Sequence, residues 1–112
     1  MTTQAPIKLP WQKKVETFAS MFGPFTKKWD SYRSFRIVEG LLEVTWPGMK
    51  SKIPPLIDPE DKPRCACCGS KRPMSLYILT DRNGATHMVG EECLLALHRI
   101  NQLSTVDLVT QY

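Results

Sequence analysis

The four cysteines constrain this chain of 112 residues more than any other feature. Cys65, Cys67 and Cys68 lie within one short turn, and Gly69 follows them directly. Two cysteines separated by two residues can direct both sulfurs at one metal ion. A glycine after the second cysteine lets the backbone turn, so that N–H groups approach the sulfurs. Cys93 lies further along the chain, and together the cysteines predict a fold built around a metal ion.

The segment between these cysteines has the pattern of a β-hairpin followed by a helix. Residues 74–81 alternate between apolar and polar side chains, which predicts a strand, and residues 85–89 predict a second one. The turn between them contains an Asn-Gly pair, the strongest short-range hairpin signal. Gly90 ends the second strand. Glu91 and Glu92 then open a predicted helix, because the helix dipole favours acidic residues in the first turn.

We call the C-x-x-C-G turn of residues 65–69 the knuckle. The order of knuckle, hairpin and helix over residues 65–100 resembles a treble-clef zinc finger of the kind found in small prokaryotic and phage-type proteins. The shared pattern is C-x-x-C-G, an apolar strand, a polar turn, and a hydrophobic residue followed by Gly-x-x-Cys. The residues that match it are Cys65, Cys68, Gly69, Leu76, Tyr77, Ile78, Asn83, Gly84, Val89, Gly90 and Cys93. The resemblance implies one structural Zn²⁺. It implies no particular partner, because treble clefs serve nucleic-acid binding, protein binding and nucleases alike.

Three of the four ligands that tetrahedral zinc requires are Cys65, Cys68 and Cys93. A treble-clef helix usually adds the fourth ligand three or four residues after its first. This chain has Ala96 and Leu97 at those positions. The sequence therefore departs from the family pattern at the fourth ligand.

Three residues are candidates for that fourth ligand. His98 is the first, because it lies five residues after Cys93, a spacing that zinc-finger histidine pairs use. His87, on the predicted second strand, is the second. Cys67 is the third, because a third thiolate ligand from a single turn would be strained. Two disulfides are the alternative to a metal, but a C-x-C-C cluster is a poor spacing for disulfides.

Length and composition predict a globular protein of one domain, or of one small domain with a zinc-binding appendix. Hydrophobic residues make up 42% and charged residues 23%, and no apolar run approaches the ~20 residues of a transmembrane helix. Residues 1–11 lack the hydrophobic centre of a signal peptide. We therefore expect a cytoplasmic protein with reduced thiols that makes no membrane contact.

The N-terminal half predicts helices, and with the predicted hairpins this gives a small α+β fold. An apolar face with helical spacing, which includes Trp11, Val15 and Phe18, predicts a helix that begins at Pro10. Phe25, Trp29 and Tyr32 then repeat at i, i+4 and i+7. This spacing predicts a second short helix over residues 24–33.

A hairpin, a connector and a last helix complete the prediction. Residues 34–38 and 41–46 are rich in β-branched and aromatic residues and predict a hairpin, with an extension of the second helix to Glu39 as the alternative. A sequence like a capping box at Ser104 predicts a last helix to Thr110. The predicted regions are a basic α+β region, a proline-rich connector and a zinc finger with C-terminal helices, at residues 1–52, 53–64 and 65–112.

The positive charge is concentrated in the first half of the chain. Residues 1–64 hold eleven Lys/Arg and seven Asp/Glu, a net charge of +4, whereas residues 65–112 hold four of each. Cations alternate with aromatic residues there, a combination that binds single-stranded nucleic acids. The cations predicted to contact DNA or RNA are Lys27, Lys28, Arg33, Arg36, Lys50 and Lys52. The same aromatic residues also fit a hydrophobic core beneath a solvated face of lysines.

Nucleic-acid binding is therefore the predicted function, and a protein-interaction module is the alternative. A small phage-type factor that binds and modulates a host enzyme would use the compact size, the apolar connector and the nearly neutral finger. The salt dependence of binding separates the two, because phosphate contacts weaken steeply with salt. We expect no enzymatic activity, because no adjacent His-His or Asp-His pair precedes the predicted hairpin of the finger.

Overall fold

The computed structural model describes residues 10–28 and 30–106. These residues form two helices and a seven-stranded sheet, which confirms the predicted α+β class. The elements are α1 Pro10–Phe22, β1 Phe25–Lys28, β2 Tyr32–Val38, β3 Leu41–Thr45, β4 Leu56–Ile57, a single 3-10 turn Pro59–Asp61, β5 Ser75–Thr80, β6 Thr86–Gly90, α2 Glu91–Arg99 and β7 Leu103–Val106.

Strand β5 holds the sheet together. It pairs antiparallel with β6, with β2 and with β1. Tyr77 of β5 lies opposite Tyr32 of β2, and Thr80 lies opposite Thr26 of β1. Strand β3 continues the sheet from β2 to the short β4, and β7 pairs with β1 in parallel. The sheet therefore includes strands from both halves of the chain. The boundaries of the three regions predicted from the sequence stay a prediction.

Helix α1 packs its predicted apolar face into the core. Val15 and Phe18 are buried, and the Phe18 ring stacks on Phe25 of β1 with 4.9 Å between the ring centroids. Burying a side chain of this size is worth about 1.5–3 kcal/mol. The same core contains Leu79 of β5 and Leu97 of α2, so that α1, α2 and the sheet share one apolar centre.

Helix α1 ends at Phe22, and Gly23 follows it directly. Gly23 donates its N–H to the Ala19 carbonyl at 2.7 Å, and a Cβ at this position would lie 2.6 Å from that same oxygen. Arg82 donates to the carbonyls of Met21 and Gly23, both at 2.9 Å. A cation at the C-terminal end of a helix also interacts favourably with the helix dipole.

The predicted second helix over residues 24–33 is wrong. Residues 25–28 form β1, which pairs with four residues of β7 from Leu103 to Val106, and Tyr32 begins β2. Phe25 and Tyr32 therefore lie on different strands, and Trp29 lies outside the described residues. Pairing with β5 and β7 supplies the backbone partners of this segment, and this tertiary interaction overrides a helical spacing seen over only ten residues.

The predicted last helix is also wrong where the structure describes it. Leu103–Val106 is strand β7 and pairs in parallel with β1. Thr105 and Val106 are β-branched residues, which favour a strand that has a partner. Residues 107–110 of the prediction lie outside the described residues.

Both predicted hairpins are confirmed. The β2–β3 turn consists of Glu39 and Gly40, whose φ angles are 51° and 82°. Two consecutive positive φ values are the conformation that a tight two-residue hairpin loop requires. The β5–β6 hairpin has Gly84 in its turn, with a φ of 88°. The helix predicted after Gly90 is confirmed as α2.

A buried carboxylate, Asp81, organises the β5–β6 turn. Its Oδ1 accepts backbone N–H bonds from Asn83 at 2.8 Å and Ala85 at 3.0 Å, and its Oδ2 lies 2.8 Å from Nε2 of His87. The Asp81 side chain is only 2% exposed. The bond to His87 first, and then the two backbone bonds, hold the pKa of Asp81 below its ordinary value.

The Asp81→Asn variant should therefore lose stability in a pH-dependent way. A carboxylate whose pKa is lowered by folding stabilises the protein above its unfolded pKa of about 4, and this contribution disappears as the pH falls through the lower folded value. The difference in urea midpoint between wild type and variant should be constant from about pH 5 to 7 and shrink below about pH 4.

The matched control is Asp61→Asn, which alters an exposed carboxylate in the 3-10 turn. It should leave the urea midpoint within experimental error at every pH. A gap between wild type and Asp81→Asn that stays constant down to about pH 3 would contradict the assigned role of Asp81.

Candidate metal centre

Three cysteine sulfurs converge in the described part of the chain. The Sγ atoms of Cys65, Cys68 and Cys93 all lie within 4.8 Å of one another. In a tetrahedral zinc site with bonds of about 2.3 Å, the sulfurs are about 3.8 Å apart. Cys65 and Cys93 are buried, and Cys68 is half-buried. The structure therefore brings together the three residues that the sequence predicted as ligands.

The knuckle is a closed turn attached to β6. Gly69 has a φ of 77°, a conformation that favours glycine, and its N–H donates to the Cys65 carbonyl at 2.8 Å. Cys65 donates its own N–H to the Ser70 carbonyl at 2.9 Å. Ala66 donates to the Met88 carbonyl of β6 at 2.7 Å. These bonds fix the position of the first two sulfurs relative to the sheet.

Gly90 connects the knuckle to the helix that carries the third sulfur. Its N–H points at Sγ of Cys65, 3.4 Å away, and it is the residue before α2. A Cβ at Gly90 would lie 2.6 Å from Cγ of Pro73. A larger residue at position 90 would therefore displace Pro73, which lies in the segment between the knuckle and β5. Cys93 then lies in the first turn of α2, where the helix dipole favours a negative sulfur.

The contacts among the sulfurs control their protonation. The thiol of Cys93, followed by burial, raises the pKa of Cys65 to about 12, although backbone N–H groups of the knuckle and of Gly90 oppose this shift. For Cys93, the bond to Cys65 lowers the pKa, but the thiol of Cys67 and burial together outweigh it and raise the pKa to about 12. A bound divalent cation would replace these protons and hold the sulfurs as thiolates.

Trp11 contributes a contact that the sequence did not predict. Its indole Nε1–H donates to Sγ of Cys93 at 3.3 Å, across 82 positions of the chain. N–H groups directed at a sulfur stabilise its thiolate form. Only the position of Trp11 on the apolar face of the predicted helix was visible in the sequence, and that face indicated packing.

The two histidines lie outside the group of three sulfurs. His87 is bound to Asp81, and its ring packs against Phe18 and Phe22 with centroid distances of 5.4 and 4.7 Å. His98 is exposed in the last turn of α2. Five residues of helix separate it from Cys93, and a helix rotates by about 100° per residue, so the two side chains lie roughly 140° apart around the axis.

Cys67 contacts one member of the group without joining it. Its thiol is near enough to Cys93 to raise the pKa of that residue, but the set whose sulfurs all lie within 4.8 Å contains only Cys65, Cys68 and Cys93. Cys67 instead lines a groove with Phe18 and other residues of α1. The identity of the fourth ligand stays a prediction.

A cleft of about 540 Å³ opens beside the three sulfurs. All three cysteines of the group line it. The other lining side chains include aromatic and charged residues from α1, from the segment after the knuckle, from β5 and from α2, namely Trp11, Arg72, Tyr77, Glu91 and Glu92. The candidate metal centre is therefore accessible from one side.

The predicted nucleic-acid contacts Lys27 and Arg33 lie beside aromatic rings. Lys27 is buried, donates to the Lys28 carbonyl at 3.1 Å and lies 5.5 Å above the Tyr77 ring centroid. Burial lowers the pKa of Lys27. The Arg33 guanidinium lies 5.0 Å above the Trp46 ring.

The remaining predicted contacts are exposed. Arg36 forms an ion pair with Glu43 at 3.2 Å, and its side chain is 75% exposed. Lys28, on β1, and Lys50 and Lys52, in the β3–β4 loop, are also exposed. Four of the six cations that were predicted to contact nucleic acid are therefore exposed to solvent.

Further cations surround the knuckle, and the sequence analysis missed them as a group. Lys14 donates to the Cys68 carbonyl at 3.5 Å, Arg64 to the Gly69 carbonyl at 3.2 Å and Lys62 to the Lys71 carbonyl at 2.9 Å. The signal in the sequence was the cluster of basic residues on both sides of residues 65–68. The net charge of each half of the chain does not reveal this cluster, because the cluster spans the boundary between the two halves.

No protein-family model, curated protein or solved structure matches the chain. The likeness to treble-clef fingers consequently rests on the motif and on the order of the elements. Neither described helix is long and apolar enough to cross a lipid bilayer.

Removal of the metal should destabilise the protein strongly. We expect one metal ion per chain after purification, and chelation should lower the melting temperature by more than about 10 °C, because the binding energy of such a site is folding energy. Cys68→Ser should have the same effect. Elemental analysis and thermal unfolding measure both quantities.

The matched control is Cys67→Ser, which removes a neighbouring thiol outside the group of three. It should retain one metal ion per chain and most of the stability. A cooperatively folded wild type that contains no metal would contradict the assignment of this centre.

Proposed function

We propose that the chain is a small binding protein of the treble-clef type, in which Cys65, Cys68 and Cys93 hold one structural Zn²⁺. The support is the convergence of three sulfurs within 4.8 Å. Thiolates favour zinc over the hard cations Mg²⁺ and Ca²⁺. Such a site requires reduced thiols, which fits a cytoplasmic protein.

We further propose that the partner is a nucleic acid. The observation that carries this proposal is the Arg33 guanidinium, 5.0 Å above the half-exposed Trp46 ring. The exposed Lys50 and Lys52 follow Trp46 in the next loop. Stacking surfaces next to cations are what single-stranded nucleic acids bind, and the cations attract the phosphates.

A second aromatic pair lies on the opposite face of the sheet from Arg33, because successive residues of a strand, such as Tyr32 and Arg33, point to opposite faces. Tyr32 and Tyr77 lie opposite each other on β2 and β5, with ring centroids 5.7 Å apart, and both are half-exposed. Lys27 lies over Tyr77 with its ammonium bound to a backbone carbonyl. In this proposal Lys27 positions the tyrosine, while Lys28, Arg33, Arg36, Lys50 and Lys52 contact phosphates.

The proposed role is binding rather than catalysis. His87 is the residue type that general acid–base catalysis uses most often, but it is bound to Asp81 and enclosed by three phenylalanine rings. His98 is exposed on α2, apart from the cysteines. These positions favour structural and surface roles for the two histidines.

A protein partner is the second candidate, and exposed apolar side chains favour it. Ile37, Ile53 and Leu56 are 70%, 81% and 53% exposed, and they lie on or beside the β2–β3–β4 part of the sheet. Exposed apolar surface of this kind is typical of protein interaction sites. This candidate corresponds to a phage-type factor that binds a host enzyme.

Binding to labelled single-stranded and duplex DNA and RNA, measured over a range of salt concentrations, tests the proposal. Lys50→Ala combined with Lys52→Ala should weaken binding to all sequences alike and reduce the salt slope by about two units, one for each phosphate contact. The variant should keep its metal content and melting temperature, because both side chains are exposed.

The matched control is Arg99→Ala, which removes an exposed cation from the last turn of α2. It should leave the salt slope unchanged. If the metal-containing wild type shows no affinity for any of these nucleic acids at low salt, the nucleic-acid proposal is rejected and the protein partner replaces it.

A further inference from the structure

Three sulfurs leave one position of a tetrahedral zinc ion to be filled. Residues 1–9, 29 and 107–112, which the structure does not describe, contain no cysteine or histidine. Among the described residues, His87 is bound to Asp81 and His98 is exposed outside the sulfur group. Cys67 is the remaining soft donor, so its position decides where the fourth ligand comes from.

Cys67 contacts Cys93 but does not line the open cleft. Cys65, Cys68 and Cys93 all line the cleft of about 540 Å³, whereas Cys67 lines the groove beside Phe18. The lining of the cleft thus contains the three sulfurs of the group and no fourth thiol. A zinc site with three protein ligands and one open position is the arrangement that admits an external ligand.

The lining of the cleft indicates which external ligand would fit. Its volume lies within the ~300–1,000 Å³ of small-molecule sites. The sulfur group would supply a metal that binds soft donors. Arg72 supplies a cation, and Glu91 and Glu92 supply anions. A small molecule with a thiol, a carboxylate and an ammonium group matches all three features.

We infer that the fourth position of the metal centre is filled from the cleft by a small zwitterionic thiol, of which free cysteine is the simplest. The inference rests on the proposed zinc site. The thiol loses its proton to solvent, and the thiolate takes the fourth position of the metal ion in place of a water molecule. Its carboxylate faces Arg72, and its ammonium group faces Glu91 and Glu92.

Cobalt-substituted protein provides the test, because sulfur-to-cobalt charge-transfer bands report the number of sulfur ligands. The full chain is loaded with Co²⁺, freed of thiols by anaerobic gel filtration and titrated with cysteine. The charge-transfer intensity should rise by about a third and saturate, as three sulfur ligands become four. Serine, which lacks the thiol, should cause no change. A second gel filtration must recover the cobalt with the protein.

Two analogues of cysteine and two matched variants test the charged contacts. Cysteamine lacks the carboxylate and 3-mercaptopropionate lacks the ammonium group, and each should bind about fivefold more weakly than cysteine. Arg72→Ala should weaken cysteine by a similar factor and leave cysteamine unaffected. The control Lys71→Ala removes an adjacent exposed cation that does not line the cleft, and it should leave both affinities unchanged.

Four results would overturn the inference, and each identifies a different alternative. A four-sulfur spectrum before any addition, reduced by Cys67→Ser, would make Cys67 the fourth ligand. A resting spectrum altered by His98→Ala or His87→Ala would assign a histidine. Cobalt that elutes with cysteine instead of the protein would show removal of the metal and not binding. Failure of the protein to take up cobalt or zinc at all would instead reject the proposed zinc site itself.

Discussion

The contact among three sulfurs from two distant segments is the constraint on which the rest of the candidate site depends. The knuckle and the start of α2 are each attached to the end of β6, through Ala66 and Gly90 respectively. Without a cation, the thiols of Cys65 and Cys93 share hydrogen bonds, and their pKa values are raised to about 12. A divalent ion would replace those protons and join α1, the knuckle and α2 through one centre.

Strand β5 links this centre to the proposed binding surface. It pairs with β6, which leads directly into α2, and with β2, which carries Tyr32 and Arg33. Tyr77 of β5 also lines the cleft beside the sulfurs. If the centre holds a metal ion, its loss would therefore disturb the aromatic pair on the sheet as well as residues 65–100. A structural ion can in this way support a binding surface that it does not touch.

Turn and glycine signals in the sequence predicted the neighbouring elements correctly, whereas the capping-box-like sequence at Ser104 did not. The turn at Glu39-Gly40, the Asn-Gly turn and the glycine before Glu91 each act within a few residues, and the corresponding elements are confirmed. Strands β1 and β7 were missed because their parallel pairing joins Phe25 to Leu103. No local pattern reports a partner at that distance, and helical spacing of aromatic residues was the stronger visible signal.

The same distinction applies to the candidate site. Cys65, Cys68 and Cys93 could be predicted because their spacing reflects the geometry of one turn and one helix start. The contact between Trp11 and Cys93 could not, since it spans 82 positions and uses a residue that the pattern placed in the core. Spacing alone nominated His98, but the rotation of α2 places that side chain on an exposed face.

X-ray absorption spectroscopy at the zinc edge of the purified protein, freed of thiols, tests the central claim most directly. The account predicts one zinc ion per chain with three sulfur neighbours at about 2.3 Å and one lighter neighbour at about 2.0–2.2 Å. A zinc environment made only of nitrogen and oxygen atoms, or a folded protein without zinc, would contradict it.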